Sequence, residues 1–150
     1  MHIYQHMFFN LFKKDEKIIK IGYEDMLYAL KYTEQYLIIN TLPPNDQECL
    51  IKNTLLPEKE ISIIDNYMLQ QKFNIKIVIY GLNNCDLSVE KKYKQLIELG
   101  FNNVHIYVGG LFEWLMLQDI YGKTEFPTTK YVLDILKYRP KGNFNILRIT

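Results

Sequence analysis

The sequence has few of the residues that build metal sites or disulfide frameworks. Its 150 residues include two cysteines and three histidines. Cys49 and Cys85 cannot form a disulfide framework, and no Cys-x-x-Cys or Cys/His spacing indicates zinc. Arginine, the usual residue for gripping oxyanions, occurs only at Arg139 and Arg148. We therefore predict neither a metal site nor a bound cofactor.

Net charge and long apolar runs are also lacking. The formal net charge is +1, whereas nucleic-acid binding normally shows as a clear basic excess, so we expect no nucleic-acid partner. No apolar run approaches the roughly 20 residues that span a bilayer. The start, Met1–Phe9, lacks the basic region and cleavage site of a secretory signal. We therefore expect a cytoplasmic protein with no transmembrane segment.

The composition is that of a globular domain, with 48% hydrophobic and 23% charged residues. Short β-branched runs alternate with amphipathic stretches, which favours an α/β fold with a mostly parallel central sheet flanked by helices. Strands are predicted at 18–21, 36–40, 75–80 and 104–108, with a further brief strand at 49–51. Helices are predicted at 23–32, from Pro57 onward, at 88–99 and at 111–118. The helix that begins at Pro57 is expected to have Ile61, Ile64 and Met68 on its apolar face. Gly100 is expected to be the left-handed cap of the helix at 88–99.

Residues at fixed offsets between Ile77 and Trp114 form a recognisable pattern. An apolar strand ends at Tyr80, and after a loop and a helix come Leu99-Gly100-Phe101, a strand, Gly109-Gly110 and Trp114. In this pattern the chain resembles the rhodanese-like domains. Residues 38–42 and 49–54 match the family's second strand and the short segment after it, so the resemblance covers about 18–118. Residues 112–115 and 117–122 add a similarity to the rhodanese-like proteins of large eukaryotic DNA viruses.

The resemblance implies one rhodanese-like domain over residues 18–122. An N-terminal extension, 1–17, precedes it, and a C-terminal extension, 123–150, packs on it. It also implies an active-site loop at 81–88, reading Gly-Leu-Asn-Asn-Cys-Asp-Leu-Ser. Ligands of parallel sheets bind beyond the carboxyl ends of the strands, which places this loop and the turn at 109–110 in the site region.

The loop departs from the family's sulfurtransferase pattern. In the family, the residue directly after the strand is a cysteine that becomes a persulfide, inside a cradle of backbone N–H groups that stabilises anions. Here Gly81 holds that position, Asp86 stands where a cation would help, and the nearest thiol is Cys85. Phosphatase chemistry is excluded, because it needs a cysteine and an arginine bracketing the loop.

Three functions follow from these residues. The favoured hypothesis is a non-catalytic module with a degenerate loop that binds a protein partner or a small anion. The second is a sulfurtransferase or persulfide carrier in which Cys85 is the nucleophile. The third is a structural or virion-associated assembly protein. The candidate binding residues are Gly81, Leu82, Asn83, Asn84, Asp86, Leu87, Ser88, Lys91, Lys92, Gly109 and Gly110.

The predicted helix 111–118 is apolar nearly all round, with Glu113 its single charge, so it must be covered on most sides. Trp114 is expected in the core. The favoured cover is the C-terminal extension, and a homodimer or protein partner is the second. The apolar residues available in that extension are Phe126, Val132, Leu133, Ile135, Leu136, Phe144, Ile146 and Leu147. At the N-terminus, a stripe at helical spacing (Tyr4, Met7, Phe8 and Leu11, followed by Lys13-Lys14) indicates a short helix packed on the domain or lying on a membrane surface.

Overall fold

The structure is a computed structural model, and it describes residues 17–144. These residues form a four-stranded, all-parallel sheet in the order β1-β4-β3-β2, connected by helices. The predicted α/β fold is therefore confirmed. The strands are β1 (Lys20–Ile21), β2 (Tyr36–Asn40), β3 (Lys76–Tyr80) and β4 (Val104–Tyr107). The helices are α1 (Tyr23–Lys31), α2 (Pro57–Leu69), α3 (Ser88–Glu98) and α4 (Gly110–Tyr121).

The central strands are apolar on both faces because helices cover both sides of the sheet. Along β3, Ile77 and Ile79 point into one apolar cluster, and Val78 and Tyr80 point into the other. The first cluster lies under α2 and α3, and the second lies under α1 and α4. Trp114, predicted in the core, is fully buried in the second cluster.

Most predicted elements are confirmed to within about two residues at each end. Gly100 ends α3 with φ of 109°, the left-handed conformation expected of its cap. The predicted strand at 49–51 is wrong, because Ile51 makes only an isolated antiparallel bridge, to Thr128. Ile61 is also misplaced: it is 71% exposed, while Ile64 is buried.

The C-terminal segment, residues 123–144 of the described chain, folds back over the face of the sheet covered by α1 and α4. Phe126 and Tyr138 are 2% and 1% exposed and belong to the same cluster as Trp114. Backbone hydrogen bonds join residues 127–129 to Leu50 and Lys52. A short 3-10 helix, Ile135–Tyr138, follows.

Three other apolar residues of the predicted cover are exposed to solvent. Leu133, Leu136 and Phe144 are 84%, 61% and 86% exposed. Ile146 and Leu147 lie outside the described residues, as does the apolar stripe predicted near the N-terminus. None of the helices within residues 17–144 is long and apolar enough to cross a membrane.

Candidate functional site

The loop between β3 and α3 lies directly against the glycine turn that begins α4. In the first turn of α4, Leu111 N donates to the carbonyl oxygen of Gly81 and Phe112 N donates to that of Leu82, each at 2.9 Å. Gly110 has φ of 67°, and a Cβ there would lie 2.8 Å from Asn83 N. Only glycine satisfies both conditions. The structure thus brings together the two segments that were predicted to lie in one site region.

Asp86 fills the inward side of this loop. Leu82 N donates to Asp86 Oδ2 at 2.9 Å, and Ser88 N donates to Oδ1 at 3.1 Å. Ser88 Oγ donates to the same Oδ1 at 2.6 Å and lies 2.8 Å from Thr41 Oγ1. This carboxylate accepts hydrogen bonds from two N–H groups and one hydroxyl at the N-terminus of α3. It therefore takes the place of a bound anion among these N–H groups.

Asp86 is one of the predicted site residues, but its role as an internal anion was not predicted. The available signal was the spacing of Asp86 and Ser88 at the start of α3, which is typical of an aspartate that caps local N–H groups.

Gly81, which the resemblance aligns with a nucleophilic cysteine, has no room for a side chain. A Cβ at this residue would lie 2.5 Å from Asp86 Oδ2 and 2.6 Å from Val89 Cγ2. Gly81 is buried, so such a side chain could not turn outward to solvent without moving the loop. The Asp86 carboxylate can therefore occupy its position only because residue 81 has no side chain.

The two cysteines lie in opposite environments, and neither is in the cradle. Cys85 is exposed; its N–H donates to Asn83 Oδ1 at 2.9 Å, and its Sγ lies 3.5 Å from Asn84 Oδ1. Cys49 is buried with Sγ donating to Lys130 O at 3.2 Å, and burial raises the pKa of this thiol. Among residues 17–144, no group of three or more His, Cys, Asp or Glu side chains could hold a metal ion.

The structure does not bring the predicted lysines to the loop. Lys92 Nζ pairs with Glu60 Oε2 on α2 at 2.8 Å, because that carboxylate lies beside it across the α2–α3 contact. Lys91 and Leu87 are exposed to solvent. Within the described part of the chain, neither lysine donates a side-chain hydrogen bond to the loop residues.

The loop is held on its other side by the C-terminal segment. Asn83 Nδ2 donates to the carbonyl oxygen of Tyr138 at 2.9 Å. Tyr138 is itself buried in the cluster under α1 and α4. The candidate site therefore includes residues beyond α4, which the resemblance did not indicate.

A cleft of about 460 Å³ opens beside the loop at the carboxyl ends of β1 and β4. Glu113 stands on its wall, where Tyr107 OH donates to Oε1 at 2.7 Å. Burial and this contact raise the pKa of the Tyr107 hydroxyl, which stays protonated. The cleft is lined by Ile21, Gly22, Asn84, Val108, Gly109, Phe112, Glu113, Met116 and Pro140.

No protein-family model matches the sequence, and no curated protein matches it significantly. Solved structures do share the fold. The rhodanese-like domain of the Alr3790 protein from Anabaena sp. aligns with a TM-score of 0.53 at 18% identity, over 89% of this chain and 93% of that one. A yeast protein tyrosine phosphatase of the rhodanese family aligns with a TM-score of 0.56 at 14% identity, over 82% and 99%.

A third structure, the thiosulfate sulfurtransferase from Pseudomonas aeruginosa, aligns with a TM-score of 0.52 at 14% identity, over 66% of this chain and 19% of that one. At these identities the likeness concerns the fold, not the chemistry. Nothing in these comparisons links the chain to viruses, so the predicted viral relationship has no support from them. The fold is that of a single rhodanese-like domain.

Proposed function

We propose that this chain is a non-catalytic, rhodanese-like binding module. The observation that carries the proposal is the Asp86 carboxylate, which accepts hydrogen bonds from Leu82 N, Ser88 N and Ser88 Oγ. In a sulfurtransferase, such N–H groups stabilise a thiolate or persulfide. Here the N–H groups of Leu82 and Ser88 donate to a permanent side chain instead, so these two groups do not serve a substrate anion.

The positions of the thiols support the same proposal. A nucleophile at residue 81 would collide with Asp86, and Cys85 lies outside the cradle. No cationic side chain lines the neighbouring cleft among the described residues, and Glu113 adds a negative charge to it. A small anion is therefore a poor ligand for this region, and a neutral or positively charged group of a partner is favoured.

The cleft and the outer rim of the loop provide the surface for binding. Asn84 belongs to both, since it lies in the loop and lines the cleft together with Gly109 and Pro140. These residues come from three separate parts of the chain. A ligand seated there would contact the loop without entering the cradle.

Sulfur carriage by Cys85 is the second candidate, and the exposure of this thiol favours it. In that reaction the Cys85 thiolate would attack the outer sulfur of thiosulfate. Sulfite would leave with the electron pair of the broken S–S bond, and Cys85 would become a persulfide. This chemistry would proceed without help from the loop N–H groups.

Assembly through α4 and the C-terminal extension remains a further proposal. It is motivated by Met116, Ile120, Leu133 and Leu136, which are between 46% and 84% exposed; exposed apolar patches can mark protein–protein contacts. Sizing at several protein concentrations tests it, and a monomer at every concentration would exclude a homodimer through this surface.

Intact-mass measurement distinguishes the binding module from the sulfur carrier. The reduced protein is incubated with thiosulfate, alongside Cys85→Ala and Cys49→Ala variants and an active sulfurtransferase as the positive control. We expect no gain of mass in any form of this chain. The gain of one sulfur atom in the wild type and in Cys49→Ala, but not in Cys85→Ala, would overturn the proposed function.

A further inference from the structure

We propose that the 460 Å³ cleft binds a small organic cation, an alkylammonium with an apolar body, whose charge is held by Glu113. The inference deepens the proposed function and rests on it, since it names the ligand class of the binding module. It is carried by a positioned carboxylate, an apolar wall and the absence of any lining cation among the described residues.

The Glu113 carboxylate is fixed before any ligand arrives. Tyr107 OH, on a side chain only 1% exposed, donates to Oε1 at 2.7 Å. Gly109 makes room for the carboxylate, because a Cβ at this residue would overlap the Glu113 side chain. In the described part of the chain, Oε2 receives no hydrogen bond and pairs with no Lys or Arg. Oε1 is thus used to position the carboxylate, and Oε2 is left to accept a hydrogen bond from a ligand.

The rest of the cleft is mainly apolar. Ile21, Phe112, Met116 and Pro140 line it, and they come from β1, from α4 and from the segment after the last 3-10 helix. A volume of this size is typical of small-molecule sites, in which a few placed polar groups orient an apolar ligand. The face of an aromatic ring such as Phe112 also attracts cations.

Charge selects among possible ligands. A carboxylate ligand would meet Glu113 without a compensating Lys or Arg, because none lines the cleft among the described residues. Two N–H groups of the adjacent loop, those of Leu82 and Ser88, cannot help it, since they already donate to Asp86. A neutral ligand would bury the same apolar surface but leave Glu113 without a charged partner. An ammonium group satisfies the carboxylate and retains the apolar contacts.

The test compares three probes of similar size: 2-phenylethylammonium, 2-phenylethanol and 3-phenylpropionate. Each is titrated into the isotope-labelled chain, and the amide signals of Gly22 and Gly109 report occupancy of the cleft. We expect the ammonium to bind about tenfold more tightly than either of the others, which is the effect of one charge-assisted hydrogen bond. Added salt should weaken only the binding of the ammonium.

Glu113→Gln should abolish the preference for the ammonium, and its amide oxygen can still accept from Tyr107. Asp119→Asn, which removes the same charge from an exposed residue of α4 outside the cleft, should keep the preference. Equal binding of the three probes, a preference unchanged in Glu113→Gln, or no shift with any probe would overturn the inference. Should Glu113→Gln fail to fold, the salt dependence of wild-type binding decides instead.

This outcome is separate from that of the proposed function. A Cys85 persulfide would overturn the non-catalytic proposal whichever probe binds in the cleft. Loss of the ammonium preference would overturn the ligand class and leave the intact-mass result unchanged.

Discussion

A Cβ on Gly81 would lie 2.5 Å from Asp86 Oδ2, so a side chain at residue 81 and the carboxylate of residue 86 exclude one another in this loop. Any side chain at residue 81 would need the space that the carboxylate occupies. Val89 Cγ2, at 2.6 Å, closes the other side of the same space. The glycine at residue 81 and the inward carboxylate of Asp86 therefore depend on one another.

Gly81→Ala should lower the free energy of unfolding by about 1–3 kcal/mol, because the added methyl group overpacks a closed site. Gly142→Ala is the matched control, since a Cβ there would meet nothing within 4 Å. We expect that control to change stability by no more than about 0.5 kcal/mol. Urea unfolding followed by circular dichroism measures both variants, and equal midpoints would contradict the packing described for Gly81.

Asp86→Ala should also be destabilising, by about 1–3 kcal/mol, because it leaves the N–H groups of Leu82 and Ser88 without their acceptor. Combined with Gly81→Ala it should cost less than the sum of the two single changes, since the collision between the two side chains disappears. Val89 remains in the way, so the relief is partial. Strict additivity in this double-mutant cycle would show that the two residues do not share the space.

Phe126→Ala should destabilise the domain by about 3–5 kcal/mol, the usual cost of removing a buried aromatic ring. The ring is 2% exposed and packs edge-on against Trp114, with ring centroids 5.0 Å apart. Phe144→Ala, in the same C-terminal segment but 86% exposed, is the control and should have almost no effect. If both variants unfolded at the same urea concentration as the wild type, the C-terminal segment would not be part of the core.

Stability should fall in alkaline solution partly because of Tyr80. Burial raises the pKa of this hydroxyl above its ordinary value near 10, while Ile51 N donates to it at 3.0 Å. The folded state therefore holds the proton more tightly than the unfolded chain does. The contribution is fully present below about pH 10 and declines above it, by up to about 1.4 kcal/mol per pH unit.

Tyr80→Phe isolates this contribution from that of the other titrating groups. Below pH 10 the variant should be less stable, because the buried Ile51 N–H loses its acceptor. Above about pH 10 the gap between wild type and variant should narrow. A gap that stays constant across the alkaline range would show that Tyr80 ionises as readily in the folded protein as in the unfolded chain.

The sequence predicted the features that depend on neighbouring residues. The β-branched run of β3 and the Gly100 cap of α3 are local signals, and both are confirmed. The buried face of α2 was harder to predict. Ile61 and Ile64 are three positions apart, so the helical repeat alone would place both of them on the buried face. Packing decided between them: Glu60 turns toward α3 to meet Lys92, and Ile61 is left in solvent.

The loop and the C-terminal segment were less predictable for a related reason. Residues 49–51 read as a strand because they are apolar, yet Leu50 N donates to Thr129 Oγ1, 79 positions further along the chain. Local sequence patterns carry no information about a partner at that distance. The role of Asp86 was missed for another reason: its partners are close in sequence, but the sequence does not show that the backbone of Leu82 turns inward to reach it.

The hydrogen bond from Asn83 Nδ2 to the carbonyl oxygen of Tyr138 also has a consequence for folding during synthesis. The two residues are 55 positions apart, so a chain that has emerged from the ribosome only as far as α4 has its sheet residues but lacks this support. The pairing of β1 with β4 joins residues still further apart, but both strands have already been synthesised at that stage. We expect loop 81–88 to reach its final shape only after Tyr138 has been synthesised, because the acceptor for Asn83 is absent until then.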